Sequence, residues 1–216
     1  MGRLVDLSHV VTDATVTYKG LPPPHICDYW SRAQSAALYD DGSSFQIGRI
    51  DMVANTGTYV DTPFHRYEDG ADLARVGLDR MAGLDGLMVR APEQAVEPGL
   101  FERLDVAGKA VLVQTGWDRH WGTDLYYDDH PFLTEAAARL LAERGAALVG
   151  IDSHNIDDTR ARRRPVHTIL LGAGTLICEH LTNLQALPER GFRFTAAPPK
   201  IAGMGTFPVR AFADLD

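Results

Sequence analysis

Apolar positions along this chain cluster in short runs, separated by turn residues, and only one stretch keeps a helical period for long. KAVLVQTG, residues 109–116, is apolar almost without a break, as is AALVGID, residues 146–152. Runs of that kind predict strands buried on both faces. Between them lies LTEAAARLLAERG, residues 133–145, in which Leu140, Leu141 and the alanines form one stripe. Thr134 is placed to cap its start with Glu135 close behind, and Gly145 to stop it, so a helix is predicted. Strand, helix, strand in that order predicts a parallel or mixed sheet with a right-handed crossover.

The remaining runs read mostly as extended chain. RLVDLSHVV and GLDGLMVRAP are strand-like, and KGLPPPH is a turn that cannot lie inside a helix. FQIGRIDMVANTGTYV has β-branched and aromatic content, with glycines that suggest bulges or close approaches. HTILLGAGTLICEHL reads as helix and then strand, and FRFTAAPPKIAGMGTFPVRAFA as two short strands around a Pro/Gly-rich turn. The prediction is a mixed α/β fold with much strand and one clear long helix. The 216 residues suit one domain spanning 1–216.

Composition narrows the function classes. The apolar share of 45 % supports a real core, and a net charge of −8 argues against binding nucleic acid or an anionic membrane through a basic surface. Cys27 and Cys178 match no metal or redox spacing and read as two buried thiols. The start lacks the long apolar region of a signal peptide, and no run reaches membrane-spanning length. A soluble cytoplasmic protein is expected.

Candidate chemistry concentrates in two places. In NTGTYVDTPFH, residues 55–65, alternate side chains of an extended strand would share a face. Asn55, Tyr59 and Asp61 would then point one way, with His65 arriving after the bend at Pro63 and Gly57 leaving room for a ligand or a backbone. A half-buried strand with His65 on the surface reads equally well. In HTILLGAGTLICE, His167 and Glu179 are twelve positions apart, and a turn at the glycines would bring them together. A Glu within an apolar run is informative, because carboxylates are rarely buried unless paired or functional. Three loops add further candidates: Trp117 in TGWDRHWG as an aromatic wall, Ser153 with Asp152 and His154 in GIDSHNIDD, and the basic run Arg160, Arg162, Arg163, Arg164 as a receiver of anions or a solvated loop.

These segments together resemble the cyclase family that includes bacterial kynurenine formamidase and isatin hydrolase. The likeness runs in order from VDLSH through NTGTYVDTPFH, LVQTGWD, LVGIDS and HTILLGAGTLICEHLTNL to PPKIAGMGTFPVRAFA, nearly the whole chain. The family's first motif is His-x-Gly-Thr-His-x-Asp-x-Pro-x-His, whose first two histidines and aspartate bind zinc or manganese and whose last His is taken as a base. A later His and Glu complete the site. Asp61, His65, His167 and Glu179 match; the first two histidine positions hold Asn55 and Tyr59 instead. The resemblance therefore implies a degenerate metal site. Asp61, His167 and Glu179 are the ligands if an ion binds, a two-metal centre is excluded, and no tightly bound cofactor is the first expectation.

The first functional expectation is metal-independent acid–base catalysis of ring closure, dehydration or isomerisation on a small carbonyl-bearing substrate of specialised metabolism. His65 would act as base, Glu179 as its partner or as acid, Tyr59 as donor to an oxyanion and Asp61 as orienting group, with Asn55, Trp117 and Ser153 against the substrate. The alternatives are a metal-dependent hydrolase of a cyclic or aryl amide or lactone, and a ligand-binding homologue without activity. The resemblance further implies a swivelling β/β/α domain with a mixed sheet or barrel and flanking helices. It also implies a homodimer or homotetramer, in which a segment such as that of Cys27, Tyr29 and Trp30 reaches the neighbouring subunit.

Overall fold

The structure, a computed structural model, describes residues 2–215. Its strands are β1 (Arg3–Asp6), β2 (His25–Trp30), β3 (Ile47–Asp51), β4 (Tyr59–Asp61), β5 (Leu84–Arg90), β6 (Ala95–Val96), β7 (Ala110–Gln114), β8 (Phe132–Leu133), β9 (Leu148–Ile151), β10 (Leu176–Glu179), β11 (Arg190–Thr195), β12 (Thr206–Pro208) and β13 (Phe212–Leu215). The helices are α1 (Arg32–Ala36), α2 (Glu135–Glu143) and α3 (Pro165–Gly172). Nine strands form one mixed sheet in the order β1-β13-β11-β5-β7-β9-β10-β4-β12. The pairs β5/β7, β7/β9 and β9/β10 are parallel, and the pairings outside them are antiparallel. This is the mixed α/β architecture that the sequence predicted.

The parallel centre is buried because both its faces carry packing. Leu112 and Leu148 point into one core with Val60, Phe192 and Phe194. Val111, Val113, Val149 and Ile151 point into the other, against Ala137, Ala138 and Leu141 of α2 and Val166, Leu170 and Leu171 of α3. Alternate residues of one strand thus serve opposite cores, which is why β7 has no polar face. Gly150 in β9 is required by this packing: a Cβ there would lie 2.7 Å from both Leu112 Cδ2 and Leu181 Cδ1.

Local signals at α2 act as read from the sequence. The Thr134 hydroxyl accepts from Ala137 N–H at 3.3 Å, Glu135 sits in the first turn and Gly145 takes φ +74°. Pro165 opens α3, where its missing N–H costs nothing. Two readings need correction. The C-terminal tail holds three strands, β11, β12 and β13, because its Pro/Gly-rich turn releases a further strand onto β4. The stretch from Phe45 to Val60 is two strands in different sheets, since the chain leaves extended conformation at Gly57, φ +64°. That glycine leaves no room for a ligand: a Cβ there would meet Val11 Cγ2 at 2.8 Å, so its space is filled by the N-terminal segment.

β2 and β3 pair only with each other and expose Ile26, Tyr29, Trp30, Ile47 and Ile50. Among the described residues no helix is long and apolar enough to cross a membrane.

Candidate active site

Strand register assembles the site. β4 lies between β10 and β12, with Glu179 opposite Tyr59 and Thr206 opposite Asp61. Cross-strand neighbours on one face are about 5 Å apart at Cβ, so Tyr59 meets Glu179 and Asp61 meets Thr206. Pro63 then turns the chain into a short 3-10 segment, Pro63–His65, which carries His65 back over Thr206. His167 comes from the first turn of α3, and the turn at Gly172–Gly174 folds β10 back so that His167 Nε2 lies 3.7 Å from Glu179 Oε1. The same nitrogen is 3.7 Å from Asp61 Oδ2. The folding-back expected from the glycines is therefore what brings the pair together.

Hydrogen-bond directions follow from the donor inventory. The Thr206 hydroxyl has one hydrogen, and the Asp61 carboxylate can only accept it. The Thr206 oxygen must then accept from His65 Nδ1–H, 2.8 Å away, which leaves Nε2 as the basic atom of His65. Asp157 Oδ2 accepts from His167 Nδ1–H at 2.6 Å, and the same carboxylate caps α3 through the N–H groups of Val166 and His167. This clamp turns His167 Nε2 toward Asp61 and Glu179. Burial opposes protonation of His167, but the Glu179 charge, the Asp157 bond and Asp61 together raise its pKa to about 10.

Glu179 is fully buried and accepts two bonds, from Ile156 N–H at 2.7 Å on Oε1 and from the Tyr59 hydroxyl at 2.5 Å on Oε2, with the Tyr18 oxygen 3.1 Å from Oε2. Burial pushes its carboxyl pKa up, and the positive His167 opposes that. Tyr59 is buried and Tyr18 half-buried beside this charge, and loss of solvent together with that charge holds both phenols well above their usual pKa, as protonated donors. Since Tyr59 gives its one hydrogen to Glu179, its oxygen accepts from Tyr18 at 2.7 Å, and Tyr18 accepts from Asn155 Nδ2 at 3.0 Å. The result is a directed chain, Asn155 to Tyr18 to Tyr59 to Glu179.

A cavity of about 160 Å³ is lined by Asn55, Tyr59, His65 and His167, with Tyr18, Asn155, Arg66 and Arg164. Of the residues read from sequence as touching substrate, Asn55 is on this wall. Trp117 and Ser153 are not: the Trp117 indole donates to the Tyr126 carbonyl at 3.0 Å, and the buried Ser153 hydroxyl to that of Pro131 at 2.5 Å. Both brace loops. Tyr59 also changes role, because a phenol that gives its hydrogen to Glu179 has none for an oxyanion. Sequence reading missed Tyr18, Asn155, Asp157, Thr206 and Arg66, and had Arg164 only as part of the basic run. Asp157 and Thr206 had a faint signal as polar residues beside buried strands; Tyr18 had none, since it arrives only because residues 8–19 cross over β4.

Asp61 is fully buried and its Oδ2 has no hydrogen-bond partner. Donor atoms of Asp61, His65 and His167 lie within 4.8 Å of one another. An unpartnered buried carboxylate oxygen facing a carboxylate-clamped imidazole is an arrangement that suits a cation. The donor set gathered for one divalent ion is Asp61, His65 and His167; Glu179, read as a ligand from the sequence, stands outside it, with Oε1 taken by Ile156 N–H and Oε2 by Tyr59. Asn55 and Tyr59 offer no imidazole to a second ion.

Behind the site sits a nest of neutral imidazoles. Burial, reinforced by His130, lowers His154 to about 3; burial also lowers His9 to about 4, against the opposing charge of Asp118. Both stay uncharged in the fold while the unfolded chain takes up protons below pH ~6.5. Their contribution is complete above that pH and is lost as pH falls toward 3–4. Between pH 7.5 and pH 5, His154 alone should cost about 2 kcal/mol at 1.36 kcal/mol per pH unit. Urea unfolding at the two pH values, in the wild type and in His154→Gln, measures this: the variant's loss should be smaller by about that amount, and equal losses would refute the assignment.

The Cyclase family model matches residues 5–158. The kynurenine formamidase of Salinibacter ruber (strain DSM 13855 / M31) is 30 % identical over 214 residues, covering 96 % of this chain and 95 % of that one. A solved structure described as a potential metal-dependent hydrolase with cyclase activity superposes with TM-score 0.81 at 25 % identity, over 100 % of this chain and 99 % of its own. Isatin hydrolase A from Labrenzia aggregata does so with TM-score 0.83 at 22 % identity, over 99 % and 93 %. With a model matched over most of its length and a relative aligned nearly end to end, this chain belongs to the Cyclase family of enzymes.

Proposed function

We propose that the chain hydrolyses a small amide or lactone by addition of water to its carbonyl carbon, with His65 as the proton carrier. The observation that carries this reading is the Asp61–Thr206–His65 chain, whose bond directions leave His65 Nε2 basic. The hydrolase relatives support it. It displaces metal-free ring closure or dehydration, ranked first on sequence, from first place.

Water oxygen bonds to the carbonyl carbon as its proton passes to His65 Nε2, and the carbonyl π electrons move onto oxygen. When they return, the carbon–nitrogen or carbon–oxygen bond breaks, and the leaving group takes the proton back from His65. Asp61, through Thr206, holds the ring in the tautomer that can do this and stabilises its charged form. Asp157 holds His167 in place. A divalent ion held by Asp61 and His167 would polarise the carbonyl and acidify the water.

The test is turnover of aryl formamides and small lactones by the wild type and His65→Asn, with elemental analysis of the same protein. His65→Asn should lower kcat by 10²-fold or more with KM little changed, and at most one equivalent of zinc or manganese should be found. Full activity in the variant, or two equivalents of metal, would overturn the reading.

The Asn155–Tyr18–Tyr59–Glu179 chain favours a second reading, metal-free ring closure or dehydration in which Tyr59, on the cavity wall, takes a substrate proton as its own passes to Glu179. It is an acid–base device that needs no cation. Activity unchanged after exhaustive chelation would select it.

A further inference from the structure

Arg66 and Arg164 line the active cavity, and both also line a second cleft of about 330 Å³. Arg139, Arg162 and Arg163 join them there. Among the described residues the only carboxylate on this wall is Glu135, which is already bound to Arg139 at 2.6 Å and lies 3.9 Å from Arg163. No carboxylate pairs with Arg66, Arg162 or Arg164 among the described residues.

Two guanidinium groups are held in position. Arg164 Nη1 donates to the carbonyls of Asp158 at 3.3 Å, Ala161 at 2.6 Å and Arg163 at 2.8 Å, and Arg66 Nε donates to Thr168 Oγ1 at 3.2 Å. Arg160, in the same basic run, is neutralised by Asp158 and Asp129 and lies off the cleft. The run thus divides into Arg160, paired off the cleft, and three that gather beside the site, where Arg163 shares Glu135 with Arg139. Five arginines with one carboxylate among them repel one another, and a chain with 29 acidic residues had more partners to offer. An anion placed among them relieves that repulsion and can be gripped by two N–H groups of one guanidinium.

We propose that this cleft is a subsite for an anionic group, carboxylate or phosphoryl, on a substrate whose carbonyl occupies the adjacent cavity. The carbonyl half of the statement rests on the hydrolase reading above; the anion site does not. Arg66 and Arg164, shared by both spaces, set the junction between the two parts of such a substrate.

Calorimetric titration with phthalate, phenyl phosphate and the neutral control benzamide at low ionic strength tests the site without turnover. At least one anion should bind with a stoichiometry of one, tenfold or more tighter than benzamide. Arg162→Ala/Arg163→Ala, two changes on an exposed loop, should weaken it about tenfold with the melting temperature unmoved. Tighter phthalate assigns the site to carboxylates, and tighter phenyl phosphate to phosphoryl groups. Anions no tighter than benzamide, or unaffected by the double substitution, would overturn the proposal.

In turnover, the preference in kcat/KM for 2-formamidobenzoate over formanilide should fall about tenfold in the double variant. Anion binding without turnover of any amide would sink the hydrolase reading and leave the subsite standing. Turnover with an unchanged preference would do the reverse.

Discussion

Glu179→Gln should lower kcat/KM by about 10³-fold, and it should also cost about 2–3 kcal/mol of stability. The two losses share one cause. The carboxylate accepts from Ile156 N–H on Oε1 and from the Tyr59 hydroxyl on Oε2, and it is fully buried. A glutamine keeps one acceptor oxygen. If that oxygen stays with Tyr59, its NH₂ faces the Ile156 N–H, donor against donor; if it turns to Ile156, the NH₂ meets the Tyr59 oxygen and the hydroxyl chain from Tyr18 must reverse. Either way the buried network loses a bond or its direction. His167 also loses one of the negative charges that hold it protonated. Urea unfolding and steady-state turnover of an aryl formamide, measured on the same preparation, check both numbers. Wild-type activity in the variant would remove Glu179 from the mechanism.

Gly205→Ala should lower kcat about 10²-fold while costing about 1–3 kcal/mol. A Cβ on Gly205 would lie 2.3 Å from His65 N and 2.6 Å from His65 Cα. These are backbone atoms that no rotamer change can move aside. The two segments are already tied together by Thr62 N–H donating to the Gly205 carbonyl at 2.7 Å and by Thr206 bonding to His65. The methyl group must therefore push the imidazole away from Asp61 and Thr206, and a shift of about 1 Å at a proton-transfer group is worth about 10² in rate. Gly203→Ala is the control. Gly203 has φ +74° with open space around it, so the substitution brings backbone strain but no collision with His65. It should destabilise while leaving kcat close to normal. Equal kcat losses at both positions would show that general loosening, not displacement of His65, is responsible.

Much of this architecture was legible in the sequence because it depends on local rules. Unbroken apolar runs can only be central strands, and they are β7 and β9. Thr134, Glu135 and Gly145 mark their helix by capping chemistry that acts within one turn. Alternation along a strand put Tyr59 and Asp61 on one face, and a carboxylate in an apolar run flagged Glu179 before its partners were known. His65 and His167 were candidates from the same two segments, and the resemblance to the family then implied their roles.

What the sequence could not decide depended on which segments lie side by side. Thr206 matters only because β12 pairs with β4 at that register, and no local pattern fixes a pairing across 145 positions. Tyr18 enters only because the N-terminal segment crosses β4. Trp117 and Ser153 looked equally fit for a site, but their polar atoms are consumed by the carbonyls of Tyr126 and Pro131. The basic run read as one feature, and only tertiary placement separated Arg160, paired with acids, from three arginines gathered beside the active cavity. The residue types were set by the chain; the direction of each proton, and hence the role of each group, was set by the neighbours that folding supplied.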